Sequence, residues 1–308
     1  DGEEIRRWAL EIMEHLRGLV RLQKVELDVM AGLLVLAMVL AMAISAILYL
    51  FPADGNRWKT AKDVQMSWVK TRDGCQIPLW SKGNGSTIIL VHSVGCSSVI
   101  FFFLFRTLAS KGYRVVTYDL RGHGHCSLSS LFTADILCED LLCLIEHLDV
   151  DDCFLLGYGL GGYVIQTLCI HQAQRASRRV KGVVLISSFP VSPASVDTFS
   201  WMYKMFCSWG FLHVLFRFRM LSNWISRPYF GRYVNKTMQE ELRRSFLCCP
   251  RRIWARGLAA GVLDLTPDLK KIEVPCLVVC GTDDKFASGL QERFETALSS
   301  AKVHWLER

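Results

Sequence analysis

The residues with the clearest chemical pattern follow an apolar run, CFLLGY, at 153–158. The run overlaps Gly157-Tyr158-Gly159-Leu160-Gly161 and leads into a helical stretch, YVIQTLCIHQ. A strand, a sharp turn and a helix form the setting in which a G-x-S-x-G motif presents a serine nucleophile for acyl transfer. Here Gly159 stands at the serine position. Glycine adopts the strained backbone of such a turn readily, so we expect this residue to favour folding and to abolish catalysis.

Several nearby side chains could in principle replace the missing hydroxyl or act as its base. They are Tyr158, Cys153, Cys126 and Ser127 as nucleophiles, and His92, His123 and His125 as bases. We interpret all of them as structural, because they lie on the incoming strand or in loops away from the turn. A metal site at His123 and His125 lacks a third and a fourth ligand, so we predict no metal and no cofactor.

The elements around this turn alternate between strands and helices. Apolar strand-like runs occupy 64–69, 76–81, 87–92, 114–119, 153–158, 181–187, 275–281 and 302–307. Helical stretches occupy about 99–111, 133–148, 161–175 and 287–300. Short, continuously apolar strands separated by helices predict an α/β fold with a mostly parallel sheet covered on both faces. The first two strands, joined around Arg72-Asp73-Gly74, are expected to form an antiparallel edge.

Four segments of the chain from residue 64 onward resemble the α/β-hydrolase family, of the capped esterase, lipase and epoxide-hydrolase type. They are LVHSVG (90–95), YDLRGHGHC (118–126), LLGYGLGGYV (155–164) and PCLVVCGTDDKF (275–286). The resemblance implies that the backbone N–H groups of Val94 and Leu160 are oxyanion donors and that Asp284 is the triad acid. The chain departs from the family pattern at Ser93, where glycine is usual, at Cys126, where serine is usual, and at Gly159.

The resemblance also implies a triad histidine in the loop after the last strand. KVHWLER (302–308) corresponds to that strand, so the expected histidine falls beyond Arg308, and His304 is interpreted as structural. Without a serine at position 159 and without this histidine, we expect an inactive member of the family. Two other readings remain open: Gly159 is an engineered change, or the sequence stops short of its natural end.

Residues 190–267 interrupt the alternation of strands and helices. This segment contains four tryptophans and arginine-rich stretches but no good strand, which predicts a helical cap inserted over the end of the sheet. Such a cap shapes an apolar substrate pocket. The alternative is a surface that docks on a membrane or a partner.

Residues 29–51 contain 23 positions without a charged side chain. At the helical rise they cross a hydrocarbon core of about 30 Å, so we predict a single transmembrane helix. Residues 1–28 show apolar positions at helical spacing, which predicts an amphipathic helix continuous with the span. A small-residue ridge at Ala37, Ala41 and Ser45 suits packing against another membrane helix.

Composition supports this division. Hydrophobic residues make up 51% of the chain and the mean hydropathy is +0.24, which is high for a globular chain outside a membrane. The net charge is +7, but no basic run interleaved with aromatic residues indicates a nucleic-acid partner. All 12 cysteines follow residue 51 without a zinc-like spacing, which favours a reducing compartment such as the cytosol or an organelle matrix.

The sequence therefore predicts an α/β-hydrolase fold, with helices on both faces of its sheet and a cap, preceded by a long N-terminal helix with one transmembrane span. The predicted segments are 1–28, 29–51, a linker at 52–63, a core at 64–189 and 268–308, and the cap at 190–267. We expect a catalytically inactive structural subunit in an organelle inner membrane such as that of the mitochondrion. It would contact lipid through 29–51 and other membrane-protein subunits through the N-terminal helix. The alternatives are a membrane-bound serine hydrolase of lipid or acyl esters, and a ligand-binding protein that keeps the pocket without the chemistry.

Overall fold

The structure is a computed structural model, and its described residues belong to one unit, Ala53–Arg308. It describes Trp58, 63–126, 131–192, 215–226, 236–250, 263–282, 289–298 and 301–306, together with Ile253, Arg256, Gly257, Ala260 and Asp284.

Eight strands form one sheet. They are β1 (Gln65–Lys70), β2 (Gln76–Lys82), β3 (Thr87–Val91), β4 (Arg114–Tyr118), β5 (Cys153–Tyr158), β6 (Val180–Ile186), β7 (Cys276–Gly281) and β8 (Ala301–Leu306). Their order across the sheet is β1-β2-β4-β3-β5-β6-β7-β8. β1 and β2 pair antiparallel, β2 pairs antiparallel with β4, and all later neighbours run parallel.

The described α-helices follow or connect these strands. They are α1 (Phe102–Ser110), α2 (Ala134–His147), α3 (Leu160–His171), α4 (Ala173–Ser177), α5 (Arg219–Ser226), α6 (Lys236–Cys248) and α7 (Glu292–Ala297). Short 3-10 turns occupy Ser98–Phe101 and Thr266–Lys271.

The central strands read as continuous apolar runs because helices cover both faces of the sheet. In β3, for example, Ile89, Leu90 and Val91 are all fully buried. β8 at the edge instead alternates between half-buried and exposed residues. The sequence-based prediction of a mostly parallel α/β sheet with an antiparallel first pair is confirmed.

A buried arginine ties the loop after β4 to two other parts of the fold. Arg121 is 1% exposed, and its Nε and Nη2 lie 2.6 and 2.5 Å from the two carboxylate oxygens of Asp140 on α2. Its Nη1 donates to Asp73 Oδ2 at 2.7 Å, in the turn between β1 and β2. This charge-assisted hydrogen bond holds the pKa of the Asp73 carboxyl well below its usual value. The cluster fixes the segment that leads from the sheet to the site.

The predicted cap is described in part, whereas the predicted N-terminal segments are not described. Within 190–267 the described elements α5 and α6 are helices, and the cap as a whole stays a prediction. Residues 1–28 and 29–51, with Ala37, Ala41 and Ser45, lie outside the described residues. Across the part of the chain that is described, no helix has the length and apolar character needed to cross a membrane. The longest has 14 residues, whereas a span needs about 20.

Candidate active site

The turn between β5 and α3 keeps the backbone of a nucleophile elbow. Gly159 has φ 53° and ψ −116°, a conformation that strains any residue with a side chain. Its N–H donates to Ile186 O on β6 at 3.0 Å. Its carbonyl accepts from the Ser188 hydroxyl at 3.0 Å and from Gly162 N at 3.1 Å. These hydrogen bonds therefore hold the turn at the carboxyl edge of the parallel sheet.

The two flanking glycines of the motif are required by close approach of the backbone. A Cβ on Gly161 would lie 2.1 Å from Val91 O at the end of β3, and one on Gly157 would lie 2.5 Å from the Cα of Gly162. Among the described residues beyond its two chain neighbours, the atoms that a Cβ on Gly159 would approach within 4 Å belong to the side chain of Ser93, with Oγ at 2.5 Å and Cβ at 3.0 Å.

Ser93 thus fills the space beside the elbow from the opposite loop. Its Oγ accepts a hydrogen bond from the N–H of Leu160, the first residue of α3, at 3.1 Å. None of the described residues accepts the proton of the Ser93 hydroxyl, and the side chain is half-buried rather than enclosed. A serine hydroxyl therefore lies at the N-terminus of α3, although residue 159 itself has no side chain.

Val94 follows Ser93 in this loop and is one of the two oxyanion donors that the family resemblance implies, with Leu160 as the second. Its N–H donates to no acceptor among the residues that are described, and the residue is half-buried. Val94 directly follows Ser93, and Leu160 directly follows Gly159. Positions 93 and 159 are the two that share the space at the elbow. The role of both amides as oxyanion donors stays a prediction.

Two histidines behind the loop hold its backbone through hydrogen bonds of their ring nitrogens. The Nδ1–H of His92 donates to Ser93 O at 2.8 Å, and its Nε2 accepts from Leu120 N at 2.9 Å. His123 Nε2 accepts from Gly95 N at 3.1 Å. Burial lowers the pKa of His92, and burial together with His92 lowers the pKa of His123 to about 3. Both rings are therefore neutral and position the Ser93 loop rather than accept a proton from it.

Asp284, the predicted triad acid, follows β7 and is oriented by Gln291. Its Oδ2 accepts from Gln291 Nε2 at 3.0 Å, and its N–H donates to Gly281 O at 3.1 Å. Burial raises the pKa of the Tyr158 hydroxyl, and the Asp284 carboxylate contributes to the rise. Asp284 follows β7, whose carboxyl end lies on the same sheet edge as the carboxyl end of β5. Its function as a triad acid stays a prediction.

The other candidate nucleophiles are poorly suited to reaction. Burial raises the pKa of the Cys126 thiol, and it raises the pKa of the Cys153 thiol to about 12. A thiol reacts as its thiolate, so these groups are inert at neutral pH. Ser127 lies outside the described residues. Among the side chains that the structure describes, no group of three or more His, Cys, Asp or Glu could hold a metal ion.

The fold and this strand–turn–helix site define a hydrolase-type α/β protein. Residues 88–308 match the alpha/beta hydrolase family, and this chain belongs to that family. A non-heme haloperoxidase from Rhodococcus erythropolis is 26% identical, covering 77% of this chain and 88% of that protein.

Solved structures of similar fold are an enol-lactonase from Burkholderia xenovorans LB400 and an esterase from Exiguobacterium antarcticum. The enol-lactonase has a TM-score of 0.64 at 23% identity, covering 78% of this chain and 91% of its own. The esterase has a TM-score of 0.67 at 16% identity, covering 78% of this chain and 90% of its own.

These comparisons correct the expected function. Several sequence relatives that cover 70% or more of the chain are named as haloperoxidases and chloroperoxidases, which contradicts an inactive structural subunit. They also contradict the expected single-pass localisation in an organelle inner membrane, for which no described helix is suited. The predicted lipid and subunit contacts fall on residues outside the description and stay predictions. The prediction of inactivity rested on the glycine at 159 and on the missing histidine, and the membrane localisation rested on residues 29–51, which lie outside the described residues.

Sequence reasoning found the elbow but missed the part that Ser93 takes in it. The signal was present as two departures from the family pattern, serine for glycine at 93 and glycine for serine at 159. Each was interpreted alone, because nothing in the sequence states that the two side-chain positions meet. The structure brings the two positions together, although they are 66 residues apart in the sequence.

Proposed function

We propose that this chain hydrolyses carboxylic esters or lactones at the edge of the sheet where β3 and β5 end. One observation carries the proposal: the amide at the first position of α3 holds an oxygen atom, Ser93 Oγ, at 3.1 Å. Donors of oxyanion sites lie about 2.7–3.1 Å from the oxygen that they stabilise. The N-terminus of a helix adds a favourable field for the negative charge that develops there.

The substrate class follows from this chemistry and from the relatives. A backbone donor stabilises the oxyanion formed when a nucleophile attacks a carbonyl carbon, and esters and lactones share that intermediate. An enol-lactonase and an esterase have the same fold. The haloperoxidase, a relative by sequence, is also named as an enzyme. These similarities support the choice of acyl compounds and leave the preferred acyl group to experiment.

The test is hydrolysis of p-nitrophenyl acetate, p-nitrophenyl octanoate and a γ-lactone by the full chain. Leu160 provides a matched pair of variants, because it is the first residue of α3, where proline is tolerated. Leu160→Pro removes the side chain and the N–H, whereas Leu160→Ala removes the side chain and keeps the N–H. We expect saturable hydrolysis that falls by about 100-fold or more in Leu160→Pro relative to Leu160→Ala.

Two results would overturn the proposal. One is the absence of enzyme-dependent hydrolysis of all three substrates by chain whose circular dichroism and cooperative melting show that it is folded. The other is hydrolysis with equal kcat/KM in the proline and alanine variants, which would place the reaction away from the α3 amide.

A further inference from the structure

Positions 93 and 159 are two sides of one small space. The side chain that the family resemblance leads one to expect at 159 is absent, and a side chain is present at 93, where glycine is usual. A Cβ built on Gly159 would lie 2.5 Å from Ser93 Oγ, closer than two such atoms approach without a bond. One hydroxyl-bearing side chain therefore fits beside the elbow, and in this chain it comes from the β3 loop.

We propose that Ser93 is the nucleophile of this site, so that the catalytic hydroxyl has moved from the elbow to the loop that faces it. This inference rests on the ester or lactone hydrolysis proposed above and names the group that carries it out. Ser93 Oγ is bound to the Leu160 amide and is half-buried, whereas the described thiols near the site are buried and protonated.

The contacts of Ser93 fix its main chain and leave its hydroxyl proton without an acceptor among the described residues. Its backbone carbonyl accepts from the Nδ1–H of His92 at 2.8 Å and from Cys96 N at 3.1 Å, which fixes the main chain. Its hydroxyl accepts one hydrogen bond, and the described part of the chain offers no acceptor for its proton. As Ser93 Oγ bonds to the carbonyl carbon, the Leu160 N–H is released from Oγ and donates to the oxyanion that develops on the carbonyl oxygen.

The reaction proceeds in two balanced steps. In the first step Ser93 Oγ forms a bond to the carbonyl carbon of the ester, and the bond to the leaving alkoxide breaks. One water molecule takes the Ser93 proton and gives a proton to the alkoxide, which departs as the alcohol, so that no charge is left over. In the second step a water molecule attacks the acyl-Ser93 carbonyl, and the carboxylic acid and the free Ser93 hydroxyl are released. The net change is ester plus water to acid plus alcohol.

The test uses an alkyl fluorophosphonate, which forms a bond between phosphorus and a nucleophilic oxygen and releases fluoride. The folded full chain is treated with the probe, digested and mapped by tandem mass spectrometry. The variants are Ser93→Ala, the exchange variant Ser93→Gly/Gly159→Ser, and Ser177→Ala as a control at an exposed serine on α4.

We expect the adduct on Ser93 in the natural chain and in Ser177→Ala, and no adduct at position 93 in Ser93→Ala. Ester hydrolysis should fall by more than about 100-fold in Ser93→Ala, since loss of a nucleophile leaves only the contribution of the oxyanion donors. In the exchange variant the adduct should appear at position 159.

The outcomes separate this inference from the proposed function. Hydrolysis that persists undiminished in Ser93→Ala, or an adduct at another residue, would overturn the assignment of Ser93 and leave ester hydrolysis standing. Absence of both adduct and hydrolysis in folded natural chain would overturn both. A loss of hydrolysis in Ser93→Ala counts in favour only where its circular dichroism and melting temperature match those of the natural chain.

Discussion

Substituting Gly159 with alanine tests whether positions 93 and 159 share one space. The added Cβ would lie 2.5 Å from Ser93 Oγ and 3.0 Å from Ser93 Cβ, whereas carbon atoms in good contact are about 3.5–4.0 Å apart. Rotating the Ser93 side chain moves Oγ away but leaves its Cβ in place. The rotation also breaks the hydrogen bond from Leu160 N–H, which contributes about 0.5–1.5 kcal/mol.

The expected free energies can be separated by a double-mutant cycle with Ser93→Gly. Gly159→Ala has two costs, the strain of φ 53° with a side chain, about 1–3 kcal/mol, and the overlap with Ser93, about 1–3 kcal/mol. The strain is present in both backgrounds and cancels. The overlap is present only with Ser93. We therefore expect the double variant to be about 2 kcal/mol more stable than the sum of the single effects predicts.

The assay is urea denaturation followed by circular dichroism, with the free energy of unfolding of all four chains compared at equal m-values. Ser177→Ala in place of Ser93→Gly provides the control cycle, for which we expect additivity within about 0.5 kcal/mol. Additivity within that range for Ser93→Gly and Gly159→Ala would refute the reasoning, because it would mean that the two side chains do not compete for the same space.

Three further predictions concern the scaffold. Arg121→Leu should lower the free energy of unfolding by about 3–5 kcal/mol, because Asp140, 2% exposed, keeps a buried charge without its partner; Arg121→Leu/Asp140→Leu should recover part of the loss in the same urea assay. Gly161→Ala should lower the free energy of unfolding by about 3 kcal/mol or more, because the added Cβ would lie 2.1 Å from a backbone oxygen of β3. A strongly lowered melting temperature would show this loss. The Arg243 guanidinium lowers the pKa of Glu240 to about 2. Since this folded-state pKa lies below the unfolded value, the stabilisation is present above about pH 4.5 and is lost as the pH falls towards 2. Glu240→Gln should lack this part of the pH dependence, and an unchanged profile in urea titrations from pH 6 to pH 3 would contradict the prediction.

The sheet was predictable because burial on both faces leaves a strong mark on the sequence. β3 and β5 are apolar at nearly every position, so their existence and their parallel pairing followed from composition and spacing. Helix ends were less readable. The helix predicted over 161–175 ends at His171, because Gln172 has φ −123° and ψ 34°, and a short second helix follows.

The buried charged residues, by contrast, could not be recognised from the sequence. Arg121 is among the largest fully buried side chains, yet its sequence neighbourhood reads as an ordinary glycine-rich loop. Its partner Asp140 directly follows Glu139 on α2, and Asp73 lies in a turn. The ion pairs depend on three segments that meet only in the folded chain, so residue periodicity carries no information about them.

The candidate site follows the same division. The backbone parts of the site are properties of local sequence: the elbow at Gly159, the first amide of α3 and the loop after β3 are all readable as motifs. The position of the hydroxyl depends on the folded structure rather than on local sequence. An oxygen atom beside the Leu160 amide can be reached from either of two loops. A substitution that removes the side chain from one loop therefore decides the chemistry only together with the residue that faces it. For this chain that residue is Ser93, and the reactivity of the site depends on the pair rather than on position 159 alone.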